Sequence, residues 1–184
     1  FSTDLSIIKN VNADAIIAVY PFTPQPIITQ ALLLAADIPV FAGVGGGLTK
    51  GQRVVNLAMF AEMQGATGVV LNAPTANAVV QHVAETIDIP VVVTVARADT
   101  DFDARLQAGA NIFNVSAAAE TPAIVRSIRE RYPDVPIIAT GGPTDESILE
   151  TIRAGANAIT WTPPSNGEIF RDIMAAYRDN KPHP

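Results

Sequence analysis

The chain has 184 residues, of which 48% are hydrophobic, and a formal net charge of −6. This composition excludes a disordered chain, and a negative charge without any basic run argues against direct binding of nucleic acid. Because the sequence contains no cysteine, a disulfide framework and a thiolate nucleophile are excluded as well. No apolar run approaches the roughly 20 residues that a membrane span needs. We therefore expect a cytoplasmic protein that folds as one domain over residues 1–184.

Apolar runs and amphipathic stretches alternate along the whole sequence. The apolar runs predict strands that are buried on both faces, as in a parallel sheet, over residues 14–20, 38–44, 68–72, 90–95, 111–116, 136–140 and 157–161. The amphipathic stretches predict helices over residues 3–10, 24–36, 49–64, 75–87, 101–108, 121–132, 145–153 and 166–178. Strands that alternate strictly with helices predict an α/β domain, either a closed barrel or a doubly wound sheet.

An internal repeat favours the first of these two architectures. Alternate strands are entered by Gln-Gly-Ala-Thr at 64–67 and by Ala-Gly-Ala-Asn at 108–111 and 154–157. The other strands are entered by Ile-Pro-Val at 38–40 and 89–91 and by Val-Pro-Ile at 135–137. A repeating unit of two βα pairs suits a (β/α)8 barrel of the TIM type, whose interior layers alternate between odd and even strands. The sequence therefore favours a TIM-type barrel.

The stretch from 136 to 144 is the strongest candidate for a ligand site. An apolar strand ends there in Thr140, Gly141 and Gly142, and a helix begins shortly afterwards. Backbone N–H groups that no side chain shields, next to a helix N-terminus, form a site for an anion such as phosphate. The same residues also suit a strand-to-helix turn with Thr144 as the N-cap, so the stretch by itself leaves both interpretations open.

The residues from about 135 to 170 resemble the last quarter of the phosphate-binding TIM barrels. The resemblance is carried by Thr140-Gly141-Gly142 at one strand end and by Ala-Gly-Ala-Asn-Ala at 154–158 before the next strand. In layout the chain is most similar to the glycerol-uptake-operon antiterminator regulators, and more distantly to aldolases of the 2-keto-3-deoxy-phosphogluconate type. It lacks the His and Asp that the regulators have at the strand end 41–45, and the Schiff-base Lys that the aldolases have in a strand end.

The resemblance also implies a number for each strand. If the strand that ends at Thr140 is the seventh of eight, the strand at 14–20 is the second, and the first strand is not among the residues given. A barrel that lacks a strand has two open edges, which attract another segment or chain. We therefore expect an upstream segment, or a second copy in a homo-oligomer, to cover the edge beside 14–20.

In barrels of this kind the ligand lies at the C-terminal ends of the strands. The resemblance implies that the phosphate contacts of this chain come from the second glycine of the pair and from the last strand end and helix start, namely Gly142, Thr162, Ser165, Asn166 and Gly167. Asn72 and Asn114 stand at the ends of alternate strands and suit either a side-chain amide in the mouth or an Asx turn.

Ionisable side chains that could contribute to catalysis are few near the predicted strand ends: Tyr20, Lys50, Arg97 and Asp99. Arg97 suits a two-pronged clamp on an anion, and its alternative is a surface pair with Asp99 or Asp101. Lys50 follows three glycines and either reaches an anion from a flexible loop or is simply solvated. No histidine pair for a metal and no dinucleotide fingerprint are present, so no metal and no cofactor are expected.

These residues predict a protein that binds a small phosphorylated metabolite at the C-terminal face of the barrel. It would act as a metabolite-responsive binding protein or as a weak enzyme, because acid–base or covalent chemistry needs an ionisable group beside the reacting atom. The alternative is an aldolase-like lyase or an isomerase that acts on a small sugar phosphate.

Overall fold

The structure is a computed structural model that describes residues 2–163 and 166–181. Its strands are Ile16–Ala18 (β1), Val40–Gly45 (β2), Gly68–Leu71 (β3), Val91–Val95 (β4), Ile112–Val115 (β5), Ile137–Thr140 (β6) and Ala158–Thr160 (β7). Its helices are Ser2–Asn10 (α1), Pro26–Ala35 (α2), Gln52–Met63 (α3), Asn77–Ala84 (α4), Phe102–Gln107 (α5), Thr121–Arg131 (α6), Asp145–Arg153 (α7) and Asn166–Arg178 (α8). None of the helices in this described part is long and apolar enough to cross a membrane.

The seven strands form one parallel sheet in which each strand lies beside its neighbours in the chain, from β1 to β7. This order is the one of a TIM-type barrel, whereas a doubly wound sheet reverses its order in the middle. Among the described residues no strand pairs with the outer edge of β1 or of β7, so the barrel is open there. The predicted seven-strand TIM-type barrel is confirmed, and the 3-10 helix Ala118–Glu120 was not predicted.

Alternate residues of each strand face opposite sides of the sheet. One set packs with the apolar faces of the helices in a single buried cluster, in which Val93, Phe113 and Ile137 contact the layer that contains Val54 and Ile128. The other set faces the inside of the barrel, where apolar side chains give way to polar ones toward the C-terminal ends of β4 to β7. The burial of both faces explains why the strands are continuous apolar runs in the sequence.

The repeated Ala-Gly-Ala-Asn motif has a hydrogen-bonding function at the N-terminal ends of the strands. The Asn111 Oδ1 atom accepts a hydrogen bond from the Val91 N–H at 2.8 Å, and the Asn157 Oδ1 atom accepts one from the Ile137 N–H at 2.9 Å. In each case the side chain pairs an N–H at the beginning of the preceding strand, where the sheet itself offers no acceptor. The repeat thus joins β4 to β5 and β6 to β7 at the N-terminal ends of the strands.

Large apolar side chains are exposed on the helices α2 and α8. Phe170 and Tyr177 on α8 are 61% and 77% exposed, and Leu34 on α2 is 80% exposed. Exposed apolar surface of this kind favours association. That an additional segment or a second copy covers these edges stays a prediction.

We expect the substitution Asn157→Ala to lower the stability of the fold, because it removes the acceptor of the fully buried Ile137 N–H and of the Arg129 guanidinium. The expected loss is about 1–3 kcal/mol in the free energy of unfolding, measured by urea denaturation. The matched control is Asn56→Ala on the exposed face of α3, which should change stability by less than about 0.5 kcal/mol. Equal losses in the two variants would contradict this account of the motif.

Candidate functional site

Four neutral polar side chains line the inside of the barrel near the C-terminal strand ends. We name them the polar row: Thr94 on β4, Asn114 on β5, Thr140 on β6 and Thr160 on β7. Thr94 is the register partner of Asn114, and Thr140 is the register partner of Thr160. All four are half-buried.

The hydrogen bonds within the polar row are long. The Asn114 Nδ2 atom donates to Thr94 Oγ1 over 3.4 Å, and the Thr160 hydroxyl donates to Thr140 Oγ1 over 3.5 Å. Short and strong hydrogen bonds between such groups have distances of about 2.7–3.0 Å. The row therefore keeps much of its capacity to bind a ligand, and it does so without a charged group.

The glycine pair Gly141 and Gly142 follows the polar row directly at the end of β6. The register of Thr140 with Thr160 directs the Gly141 N–H toward β7, and outside the strand ladder neither glycine N–H donates to a backbone acceptor in the described part of the chain. Gly141 is also required by packing, since a Cβ atom there would lie 2.7 Å from Ile148 Cγ1 and 2.8 Å from Ile159 Cγ2. The structure thus presents the Gly142 N–H at the rim without a backbone acceptor among the described residues, and it gives a packing reason for Gly141.

The N-terminus of α7 is already provided with partners of its own. Thr144 is its N-cap and forms a capping box with Ser147, and Asp145 and Glu146 occupy the first turn. Carboxylates in the first turn interact favourably with the positive end of the helix dipole and compete there with a bound anion. The turn interpretation of this stretch is therefore correct for Thr144, and the helix end attracts an anion less than its position suggests.

The predicted contacts after β7 are only partly described. Thr162 is exposed, and Gly167 is exposed at the beginning of α8. Ser165 lies outside the described residues, and so does the side chain of Asn166. A role of these four residues in binding phosphate stays a prediction.

A cavity of about 200 Å³ lies at the C-terminal ends of β1, β2 and β3, and we name it the β1–β3 cavity. One wall is the segment from Ala18 to Gln25 together with the first turns of α2, and the other is the loop after β2. Asn72, which follows β3, lines this cavity, whereas Asn114 belongs to the polar row. The two asparagines that look alike in the sequence are therefore at different places in the mouth.

The loop of three glycines after β2 is held close to the loop after β3. The Gly46 N–H donates to the Thr49 carbonyl and the Asn72 N–H donates to the Gly45 carbonyl, each over 2.9 Å. Thr49 is only 5% exposed, and its hydroxyl oxygen is buried without a hydrogen-bond partner in the described part of the chain. The first bond closes a turn within the loop after β2, and the second joins this loop to the loop after β3.

Tyr20 lines the same cavity and is committed to a structural contact. Its hydroxyl donates to Asp4 Oδ2 over 2.7 Å, and its ring stacks on Phe22 with centroids 5.1 Å apart. Burial, and secondly the hydrogen bond to the Asp4 carboxylate, raise the pKa of the Tyr20 phenol. Tyr20 therefore stays protonated at neutral pH and is unsuited to act as a general base.

The other ionisable candidates lie on the surface. Arg97 donates to both carboxylate oxygens of Asp99, over 2.9 and 2.8 Å, and both side chains are exposed. The hydrogen bond from Arg97 lowers the pKa of Asp99, which keeps the carboxylate charged and the guanidinium occupied. The alternative interpretation of Arg97 as a surface pair is what the structure shows. Lys50 is exposed and makes no hydrogen bond or ion pair with the described residues.

Arg105 on α5 is a residue whose role the sequence did not indicate. Its guanidinium donates to the carbonyls of Ala73 and Thr75 and to the Asn77 side chain, and it thereby holds the loop between β3 and α4. Burial lowers the pKa of Arg105. No feature of the sequence distinguishes this Arg from the surface ones, because its partners are backbone carbonyls of another loop. The described residues contain no group of three His, Asp or Glu able to hold a metal ion.

Comparison with solved structures shows which fold these elements form. The chain is similar to dihydrodipicolinate synthase DapA-2 from Bacillus anthracis, with a TM-score of 0.68 and 18% identity over 97% of this chain and 69% of that one. It is similar to the 4-hydroxy-tetrahydrodipicolinate synthase from Methylacidiphilum fumariolicum SolV, with a TM-score of 0.66 and 18% identity over 97% and 67% of the two chains. The chain has the TIM-barrel fold.

A third similar structure is a 2,3-dimethylmalate lyase of the PEP mutase/isocitrate lyase superfamily, with a TM-score of 0.64 and 14% identity over 85% of this chain and 67% of that one. No protein-family model matches the sequence, and no curated protein matches it. The TIM-barrel part of the resemblance drawn from the sequence is thereby confirmed. The closer resemblance to the antiterminator regulators stays a prediction.

We expect the substitution Gly46→Ala to destabilise the loop that borders the cavity. Gly46 has φ +97°, and a Cβ atom there would lie 1.6 Å from Thr75 Oγ1. Because the left-handed backbone alone costs about 1–2 kcal/mol and the clash adds to it, urea denaturation should show a loss of about 3 kcal/mol or more.

The matched control is Gly51→Ala in the same loop region. Gly51 has φ +58° but has nothing within 4 Å of an added Cβ atom, so only the backbone cost of about 1–2 kcal/mol is expected. Equal losses of stability in the two variants would show that Gly46 is not packed closely against Thr75 of the loop after β3.

Proposed function

We propose that the chain binds a small phosphorylated metabolite at the C-terminal mouth of the barrel, with the phosphate beside Thr140, Gly141 and Gly142. The observation that carries the proposal is the glycine pair Gly141 and Gly142, whose N–H groups donate to no backbone acceptor outside the strand ladder among the described residues. They directly follow a strand whose last residue, Thr140, offers a half-buried hydroxyl. Several donors that converge on one place form charge-assisted hydrogen bonds to an anion.

The charges around the rim favour weak binding of an anion. The polar row consists of hydroxyl and amide groups, so no carboxylate among its members repels an anion. Asp145 and Glu146 are nearby on the first turn of α7 and oppose the binding of a dianion. We therefore expect a dissociation constant on the order of 0.1–1 mM for the phosphate group in its simplest esters.

Binding without turnover is favoured by the chemistry of the mouth. General acid–base and covalent catalysis require an ionisable side chain within hydrogen-bond reach of the reacting atom. The polar row contains none, Tyr20 is bound to Asp4, and Arg97 is bound to Asp99. Lysine occurs only at positions 9, 50 and 181, which are outside the strands. A metabolite-responsive binding protein is therefore the first candidate.

An aldolase-like lyase is the second candidate, and the comparison of structures favours it. The similar proteins are named as two dihydrodipicolinate-type synthases and a 2,3-dimethylmalate lyase. A shared fold supports a shared reaction only weakly, because many unrelated activities occur on TIM barrels. The two candidates differ in whether product is formed.

Titration with sn-glycerol 3-phosphate and with inorganic phosphate, followed by amide chemical shifts, tests the binding. We expect saturable shifts at Gly141 and Gly142, and about fivefold weaker binding in Thr140→Val, which loses one hydrogen bond. Thr86→Val on the exposed C-terminal side of α4 is the matched control and should bind like the wild type. Absence of shifts at the glycine pair, with shifts elsewhere, would refute the placement.

An assay of triose, pentose and hexose phosphates for aldol cleavage and isomerisation separates the two candidates. Because the polar row contains no ionisable group and Tyr20 and Arg97 are paired, we expect saturable binding of the best ligand without product above the uncatalysed rate. Robust turnover that Lys50→Ala or Tyr20→Phe abolishes would establish the lyase or isomerase and contradict the binding protein.

A further inference from the structure

We infer that the bound metabolite is the phosphate ester of an uncharged, hydroxylated chain of about four carbon atoms, and that Asn114 and Ser116 at the C-terminal end of β5 select this chain. Because the inference starts from a phosphate group beside Thr140, Gly141 and Gly142, it rests on the proposed function. It adds the chemical class of the rest of the ligand, and it adds Ser116, which lies outside the polar row.

Ser116 directly follows β5 and continues the pairing of this strand. Its N–H donates to the Val95 carbonyl over 2.8 Å, and the register of β5 with β6 places it beside Thr140. Because side chains alternate along a strand, Ser116 faces the inside of the barrel, as Asn114 does. Its side chain is exposed, and its hydroxyl makes no hydrogen bond with the described residues. Ser116 therefore offers a free hydroxyl next to the proposed phosphate position.

The Asn114 side chain also keeps capacity for a ligand. Among the described residues its only hydrogen bond is the long one from Nδ2 to Thr94 Oγ1, so its Oδ1 atom accepts none. The buried side-chain atoms that lack a partner in this part of the chain belong to Thr49 and Gln64, so Asn114 Oδ1 is accessible to solvent. An amide with an accessible acceptor and a second N–H matches a hydroxyl group, which both donates and accepts.

The inside of the barrel disfavours a second charge on the ligand. None of the seven strands contains a charged residue, and Arg97, which follows β4, is paired with Asp99. A carboxylate on the carbon chain would lose water without gaining a cation as partner. A hydroxyl group finds both a donor and an acceptor in Asn114 and Ser116. The chain that carries the phosphate is therefore hydroxylated and uncharged.

The positions of these groups determine the length of the ligand. Neighbouring strands lie ~4.8 Å apart, and each residue advances a strand by ~3.3 Å. With this spacing Ser116 lies about 5 Å from Thr140, and Asn114, which is further from the rim on the same strand, lies about 8 Å from it. An extended chain covers ~1.2 Å per single bond, so the roughly six bonds from the phosphorus to the last hydroxyl of a four-carbon ester cover about 7 Å. Such an ester reaches both residues of β5.

The test compares three esters that share the phosphate group and a four-carbon chain: D-erythritol 4-phosphate, 4-phospho-D-erythronate and n-butyl phosphate. Affinities come from calorimetric titration of the whole chain, and amide chemical shifts give the position. We expect the erythritol ester to bind about tenfold more tightly than butyl phosphate, because its hydroxyls bond to Asn114 and Ser116. The erythronate ester should bind at least about tenfold more weakly than the erythritol ester, because its carboxylate has no cation as partner.

Two variants test the residues themselves. Asn114→Ala and Ser116→Ala should each weaken binding of the erythritol ester about fivefold and leave the affinity for butyl phosphate unchanged. Ser116→Ala removes an exposed hydroxyl that has no described partner, and binding of butyl phosphate shows that the mouth of either variant is intact. Asn56→Ala on the exposed face of α3 is the matched control and should bind both esters like the wild type.

Failure of the inference and failure of the proposed function give different results. If neither inorganic phosphate nor any of the three esters shifts Gly141 and Gly142, the proposed function is wrong and the inference falls with it. The inference alone is overturned if the esters shift the glycine pair but the erythritol ester binds no more tightly than butyl phosphate. It is also overturned if the erythronate ester binds as tightly as the erythritol ester, or if Asn114→Ala or Ser116→Ala binds the erythritol ester like the wild type.

Discussion

The pairing of the strands in chain order is the constraint on which the rest of the structure depends. Because every strand lies parallel to its sequence neighbour, all C-terminal strand ends reach the same rim. The buried outer face against the helices fixes the register, since a slip by one residue would turn Val93 and Phe113 to the inside and Thr94 and Asn114 into the helix layer. The position of the polar row thus follows from the hydrophobic core.

The mouth that this arrangement produces is polar and almost free of available charge. Hydroxyl and amide groups bind phosphate, carbonyl and hydroxyl oxygens, but they do not transfer protons readily at neutral pH. Two of the ionisable side chains near the rim are already paired, Arg97 with Asp99 and Tyr20 with Asp4, whereas Lys50 is exposed on the loop after β2. This composition is the reason why we propose binding of a small molecule before its conversion.

Much of the architecture could be predicted because it is encoded locally. The helix Asp145–Arg153 begins after the cap Thr144 and ends before Gly155, both of which are visible in the sequence. The contacts between loops could not be predicted, because they join residues far apart in the chain. Arg105 holds the carbonyls of another loop, and Asn72 and Asn114 differ only in whether the strand has ended before them. The burial of the Thr49 hydroxyl without a partner could not be predicted either, because it results from packing between separate parts of the chain.

The central claim is that the glycine pair at the end of β6 is the place where the barrel mouth accepts an anion. Anomalous diffraction from crystals soaked in sodium tungstate tests it most directly, because the heavy oxyanion marks its own position. We expect the tungsten peak within hydrogen-bond reach of the Gly141 and Gly142 N–H groups and near the Thr140 hydroxyl. A well-ordered peak beside Arg105 or Lys50, with none at the glycine pair, would contradict the account.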